Sequence, residues 1–100
     1  MTVQVQDLRR ASRRRVLMRT TLITSAGAQQ ARVRDLTSTG AGIACQVPIE
    51  HGSDVILKRG DLFIAARVVW VDGNSAGLEF YREIPLGELA SLFNTVFETA

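Results

Sequence analysis

Six short runs rich in β-branched and aliphatic residues, each cut off by a turn-forming segment, leave this chain of 100 residues little choice of fold. Residues 17–24, Leu-Met-Arg-Thr-Thr-Leu-Ile-Thr, read as a strand, because β-branched side chains pack well on a pleated surface. Ser25-Ala26-Gly27 turns the chain. Residues 30–35 return with polar and apolar side chains in alternation, the pattern of a half-exposed strand. The turn-forming segment 35–42 leads into a third strand over 43–47, and 48–53 is a loop. A fourth strand over 54–58 ends in the tight turn Arg59-Gly60-Asp61, and a fifth runs over 62–71. Asp72-Gly73-Asn74-Ser75 is a strong hairpin signal before the last strand, 76–81. Strands this short, with no helix between them, predict an all-β domain, a six-stranded antiparallel β-barrel that leaves few free edges.

The end of the chain follows another period. Leu86, Leu89, Ala90, Leu92, Phe93, Val96 and Phe97 recur at three- and four-residue spacing behind Pro85, which suits a first helical turn. A C-terminal helix over 85–98 is expected, its apolar stripe packed on the barrel and plugging one end. The same stripe is compatible with a dimer as well as a monomer. The remaining organisation is a tail over 1–8, a basic arm over 9–15 and the barrel over 16–81. With 46% hydrophobic residues, 22% charged and only 2 prolines, the chain is built to fold as one domain rather than to stay disordered.

Charge is distributed unevenly. Residues 1–34 carry eight arginines and one acid, net +7, while residues 35–100 carry four basic groups against nine acids, net −5. Such an asymmetry points to an anion meeting the N-terminal third. No apolar run reaches the ~18 residues that a membrane span needs. The start of the chain lacks the basic-then-apolar order of a secretory signal, so a cytoplasmic location is expected. The lone Cys45, in a strand-like run, reads as a small buried hydrophobe in a reducing compartment. With one cysteine and one histidine, His51 in a loop, neither a Cys/His metal site nor a catalytic dyad is expected. The acids are scattered singly, and no enzymatic activity or cofactor is predicted.

Two segments carry recognition chemistry. Arg9 and Arg13, and equally Arg10 and Arg14, are spaced R-x-x-x-R. Their planar forks can donate paired hydrogen bonds to phosphate or to the O6/N7 edge of guanine. The second segment is Asp35-x-Thr37-x-x-Gly40, with Gly42 beyond it. Asp and Thr here either cap the turn or face a ligand, and a carboxylate can accept from the N1–H and N2–H₂ donors of a guanine.

An R-x-x-x-R segment before the first strand, followed by a [D/N]-x-[S]-x-x-G turn, resembles the PilZ domain family. Val68-Val69-Trp70 is similar to that family's V-x-W strand, and Gly77-Leu78-Glu79-Phe80 to its closing G-x-x-F strand. The resemblance implies a six-stranded β-barrel with a C-terminal helix that binds cyclic di-GMP. It casts Arg9 and Arg13, or Arg10 and Arg14, as the clamp, with Asp35, Thr37 and Gly40 opposite. Thr37 stands where serine is usual, keeping the hydroxyl and adding a methyl group. It further implies a downstream protein partner that receives the signal.

Two other functions fit the same residues. One is a nucleotide-independent adaptor of the same fold, which works by docking proteins. The other is a small nucleic-acid-binding barrel, ranked third because single-strand binders add exposed rings for stacking. Phe63, Trp70, Phe80, Phe93 and Phe97 all fall in core-like patterns, which leaves Tyr81 alone outside.

Overall fold

The computed structural model describes residues 14–85 and 87–89. Six strands, β1 (Arg14–Thr24), β2 (Gly27–Leu36), β3 (Gly40–Cys45), β4 (Asp54–Arg59), β5 (Leu62–Asp72) and β6 (Ser75–Phe80), follow one another in the chain. All neighbours are antiparallel, and the ladder closes on itself in the order β1-β2-β3-β6-β5-β4. The barrel is thus two three-stranded meanders, β1-β2-β3 and β4-β5-β6, joined by β3–β6 on one side and β1–β4 on the other. The six predicted strands are all present. β1 begins at Arg14 rather than at 17, because its first residues pair with the end of β2, Arg14 opposite Leu36 and Arg15 opposite Asp35.

Alternation decides which side chains fill the interior. Leu22, Val33, Ile43, Leu57, Ile64, Val68 and Leu78 point inward and are buried, and Thr20 is the one polar residue among the described residues buried with them. Its hydroxyl is satisfied, donating to the Lys58 carbonyl at 2.7 Å across the β1–β4 seam. Cys45 is buried as expected, and burial pushes its thiol pKa up. After β6 the chain crosses the end of the barrel, where the Ile84 amide donates to the Ser38 carbonyl at 2.8 Å. Ile84 and Leu89 are fully buried in the core, and residues 87–89 are helical. The rest of the expected helix, like the tail over 1–8, lies outside the described residues.

The aromatic expectation needs correction. Phe80 is buried, but Phe63 is 55% and Trp70 48% exposed, and Tyr81 is 60% exposed. Phe93 and Phe97 lie outside the described residues. Phe63 precedes inward-facing Ile64, so period two places it outside. Trp70 is turned out by a β-bulge: Val68 pairs with Leu78 and Trp70 with Gly77, which leaves Val69 as an extra residue. Two further irregularities interrupt the sheet, between Arg15 and Met18 in β1 and at Arg34 in β2. Each bulge adds a residue to one strand only, and Val69–Trp70 and Arg34–Asp35 consequently break the in–out alternation.

Candidate functional site

The irregularities meet at one level of the barrel. Arg15, Asp35, Gly42, Gly77 and Trp70 are successive partners across β1, β2, β3, β6 and β5, a single row on the outer wall. Two glycines in its middle carry no side chain, so neighbouring side chains can lie directly on their backbone, which forms the floor. The Asp35 carboxylate lies against Gly42, its oxygens 3.0 Å from where a Cβ would stand. On the other side the Trp70 indole lies over Gly77, and a Cβ there would collide with the ring Nε1. Asp35, Thr37, Val69 and Trp70 thereby border a shallow cleft of about 210 Å³ above the glycine floor. The Val69 carbonyl accepts from His51 Nε2 at 3.0 Å, which ties the bulge to the loop before β4.

The turn at the end of β2 is held by its own side chains. Thr37 Oγ1 accepts from the Gly40 amide at 3.1 Å and from the Thr39 amide at 3.2 Å, while the Thr37 amide donates to the Gly40 carbonyl at 2.9 Å. Thr39 in turn accepts from the Phe80 amide at 2.8 Å, fixing the turn to the end of β6. Gly40 is needed for close packing, since a Cβ there would run into the Leu78 carbonyl oxygen.

Chemically, such a row can receive a flat ligand: a carboxylate wall to accept hydrogen bonds, a ring wall for stacking, and backbone between them. The backbone of Arg14 and Arg15 opens β1 at the same edge. A family model described as PilZ domain matches residues 7–98, nearly the whole chain. The chain belongs to the PilZ domain family. Domains of this family are binding and adaptor modules rather than enzymes, and cyclic di-GMP is the ligand typical of them. No curated protein matched the sequence.

Within this PilZ domain the sequence-predicted residues are distributed as follows. Asp35, Thr37 and Gly40 share one turn, as expected, with Asp35 on the cleft wall and Thr37 and Gly40 committed largely to the turn itself. Arg14 heads β1, while Arg9, Arg10 and Arg13 lie outside the described residues. Arg15, which the R-x-x-x-R spacing passes over, is the arginine whose backbone stands level with Asp35. Gly77 and Trp70 were not singled out as site residues. Their signal was available in the paired spacing of V-x-W and G-x-x-F, but only the register places one over the other. Among the described residues no helix is long and apolar enough to cross a membrane.

Proposed function

We propose that this PilZ domain is a cytoplasmic receptor that binds cyclic di-GMP on the Asp35–Gly42–Gly77–Trp70 row and relays the signal to a protein partner. Arg9 and Arg13, or Arg10 and Arg14, hold guanine edges and phosphates, and Asp35 accepts from guanine N1–H and N2–H₂. The observation that carries this reading is the pairing of Arg14 and Arg15 with Leu36 and Asp35, which delivers a basic segment to the edge of a carboxylate- and ring-walled cleft. Calorimetric titration with cyclic di-GMP, cyclic di-AMP and GMP tests it. Cyclic di-GMP binds best, because adenine presents an N6 donor where the arginine fork needs the O6 acceptor. Alanine at either arginine of the working pair, or at Asp35, weakens binding by about 2 kcal/mol per site. If alanine at Arg9, Arg10, Arg13 and Arg14 leaves affinity unchanged, the receptor reading fails.

A nucleotide-independent adaptor is the second reading, and the turn itself favours it. The identities of Thr37 and Gly40 are accounted for by capping and close packing, with no ligand required. Absence of any heat with cyclic di-GMP would select it.

A further inference from the structure

Three of the eight N-terminal arginines lie apart from the ligand segment: Arg19 on β1 and Arg32 and Arg34 on β2, all exposed. Arg19 and Arg32 are direct cross-strand partners, and Arg32 pairs in turn with Ala44 on β3. Directly opposed side chains on one face sit about 5 Å apart at Cβ, close enough for like charges to repel. Among the described residues neither arginine has an ion-pair partner. Arg34 donates to a neutral group, Ser75 Oγ, at 3.3 Å. Arg59 adds another cation nearby, its Nη1 donating to the Arg19 carbonyl at 2.7 Å. On this wall of the barrel Arg19 and Arg32 therefore stand side by side as two positive charges without an ion-pair partner among the described residues.

Its shape is defined as well. Arg19, Arg32, Gln30, Gln46 and the small Ala44 line a depression of about 500 Å³. At its rim Gln29 grips the chain leaving β3: its Oε1 accepts from the Gln46 and Val47 amides, and its Nε2 donates to the Val47 carbonyl, all at 3.0 Å. Val47 is 60% exposed, so three hydrogen bonds hold an apolar side chain out in solvent. Among the described residues the exposed rings, Phe63, Trp70 and Tyr81, belong to β5 and to the segment after β6, and none of them lies on this face as a platform on which bases can stack.

The adjacent Arg19 and Arg32, the amides of Gln30 and Gln46 and a fixed apolar side chain match a short acidic stretch of protein that contains an apolar residue. We propose that the outer face of β1, β2 and β3 around Arg19 and Arg32 docks an acidic segment of a partner protein, with Val47 packing beside its apolar residue. The proposal rests on the partner-docking half of the functional reading and not on nucleotide binding, since the two surfaces use different residues.

The test is fluorescence anisotropy with a labelled glutamate-rich peptide carrying a central leucine, its glutamine counterpart, and an oligothymidine of equal net charge. The acidic peptide binds, and the glutamine peptide does not. The Arg19→Glu/Arg32→Glu variant weakens it at least about tenfold, the Gln/Gln variant less and Val47→Ala less again, while Asp35→Ala leaves it unchanged. Amide resonances of Gln30, Arg32, Ala44 and Val47 shift on peptide addition. Thermal unfolding by circular dichroism verifies that each variant is folded. Peptide affinity unmoved by the double variant overturns the proposal, and so does tighter binding of the oligothymidine that the double variant abolishes. Cyclic di-GMP titrated into the same variants reads the other site separately, so failure of one surface is distinguishable from failure of the other.

Discussion

Gly40 and Gly77 are both glycines of close approach, yet they face different neighbours and carry different expectations. A methyl group at Gly40 meets the Leu78 carbonyl, part of the β3–β6 ladder, which cannot swing aside. At Gly77 it meets a half-exposed indole that can. Gly40→Ala is therefore expected to cost about 2–3 kcal/mol in urea unfolding and Gly77→Ala about 1 kcal/mol, within the range of overpacking losses. Equal costs would contradict a fixed carbonyl against a movable ring. Gly77→Ala, by lifting the ring from the floor, is also expected to shift the emission of Trp70, the only tryptophan of the chain. Cys45 makes a pH prediction. Burial raises its thiol pKa in the folded state above the ordinary 9.0. Below that value the thiol is neutral in both states and its contribution is intact. Above it, the unfolded chain releases the proton first, so stability declines as pH rises toward the folded value. Tyr81 acts in the same direction at higher pH, because its hydrogen bond to Asp54 holds the phenol proton. Urea midpoints followed through pH 9 are expected to fall more steeply for the parent than for Cys45→Ala.

At the scale of elements, the strands were readable because turn glycines and alternation mark them without reference to anything distant. Gly60 and Gly73 adopt positive φ between the strands they join, as the tight turns of a meander demand. The bulges were not readable. Val69 looks like one more core residue in Val-Val-Trp-Val, and nothing local says that it is the extra residue of a mismatched ladder. Regular alternation from Val68 puts Trp70 in the core, and that single extra residue turns it outward to form the ring wall of the cleft. Arg34 hides the same way beside Asp35, as a charged residue in an otherwise alternating strand. The turn chemistry of Thr37 and Gly40 was legible as a pair of alternatives, and the Thr37 hydroxyl caps the turn while Thr37 also borders the cleft. Deleting Val69 tests the role of the bulge directly. Val68 and Trp70 would keep their present partners in a regular ladder, so folding survives with a stability change of about 1 kcal/mol or less. The altered strand twist re-aims the indole, and cyclic di-GMP affinity drops. A deletion variant that binds like the parent would show that the bulge has no part in the site.

The molecule as a whole depends on two seams of unequal extent. β3 and β6 share five residue pairs, while β1 and β4 share three, Thr21–Lys58, Leu22–Leu57 and Ile23–Ile56. The narrower seam relies on the buried Thr20 hydroxyl. Thr20→Val keeps the shape but leaves the Lys58 carbonyl without its donor, at an expected cost of about 1–2 kcal/mol. Thr24→Val, which removes an exposed hydroxyl bonded within its own turn, is expected to change urea stability by less than about 0.5 kcal/mol. The wider seam divides the cleft. Asp35 and Gly42 come from the first meander, Gly77 and Trp70 from the second, and the only covalent link between the two halves is the loop from Cys45 to Asp54. A polypeptide cut in that loop would yield two fragments, one bringing the arginines and the carboxylate, the other the indole. Neither fragment alone contains a floor. A small molecule held across the junction would act as glue between them, and the recovery of Trp70 emission would count the reunited pairs.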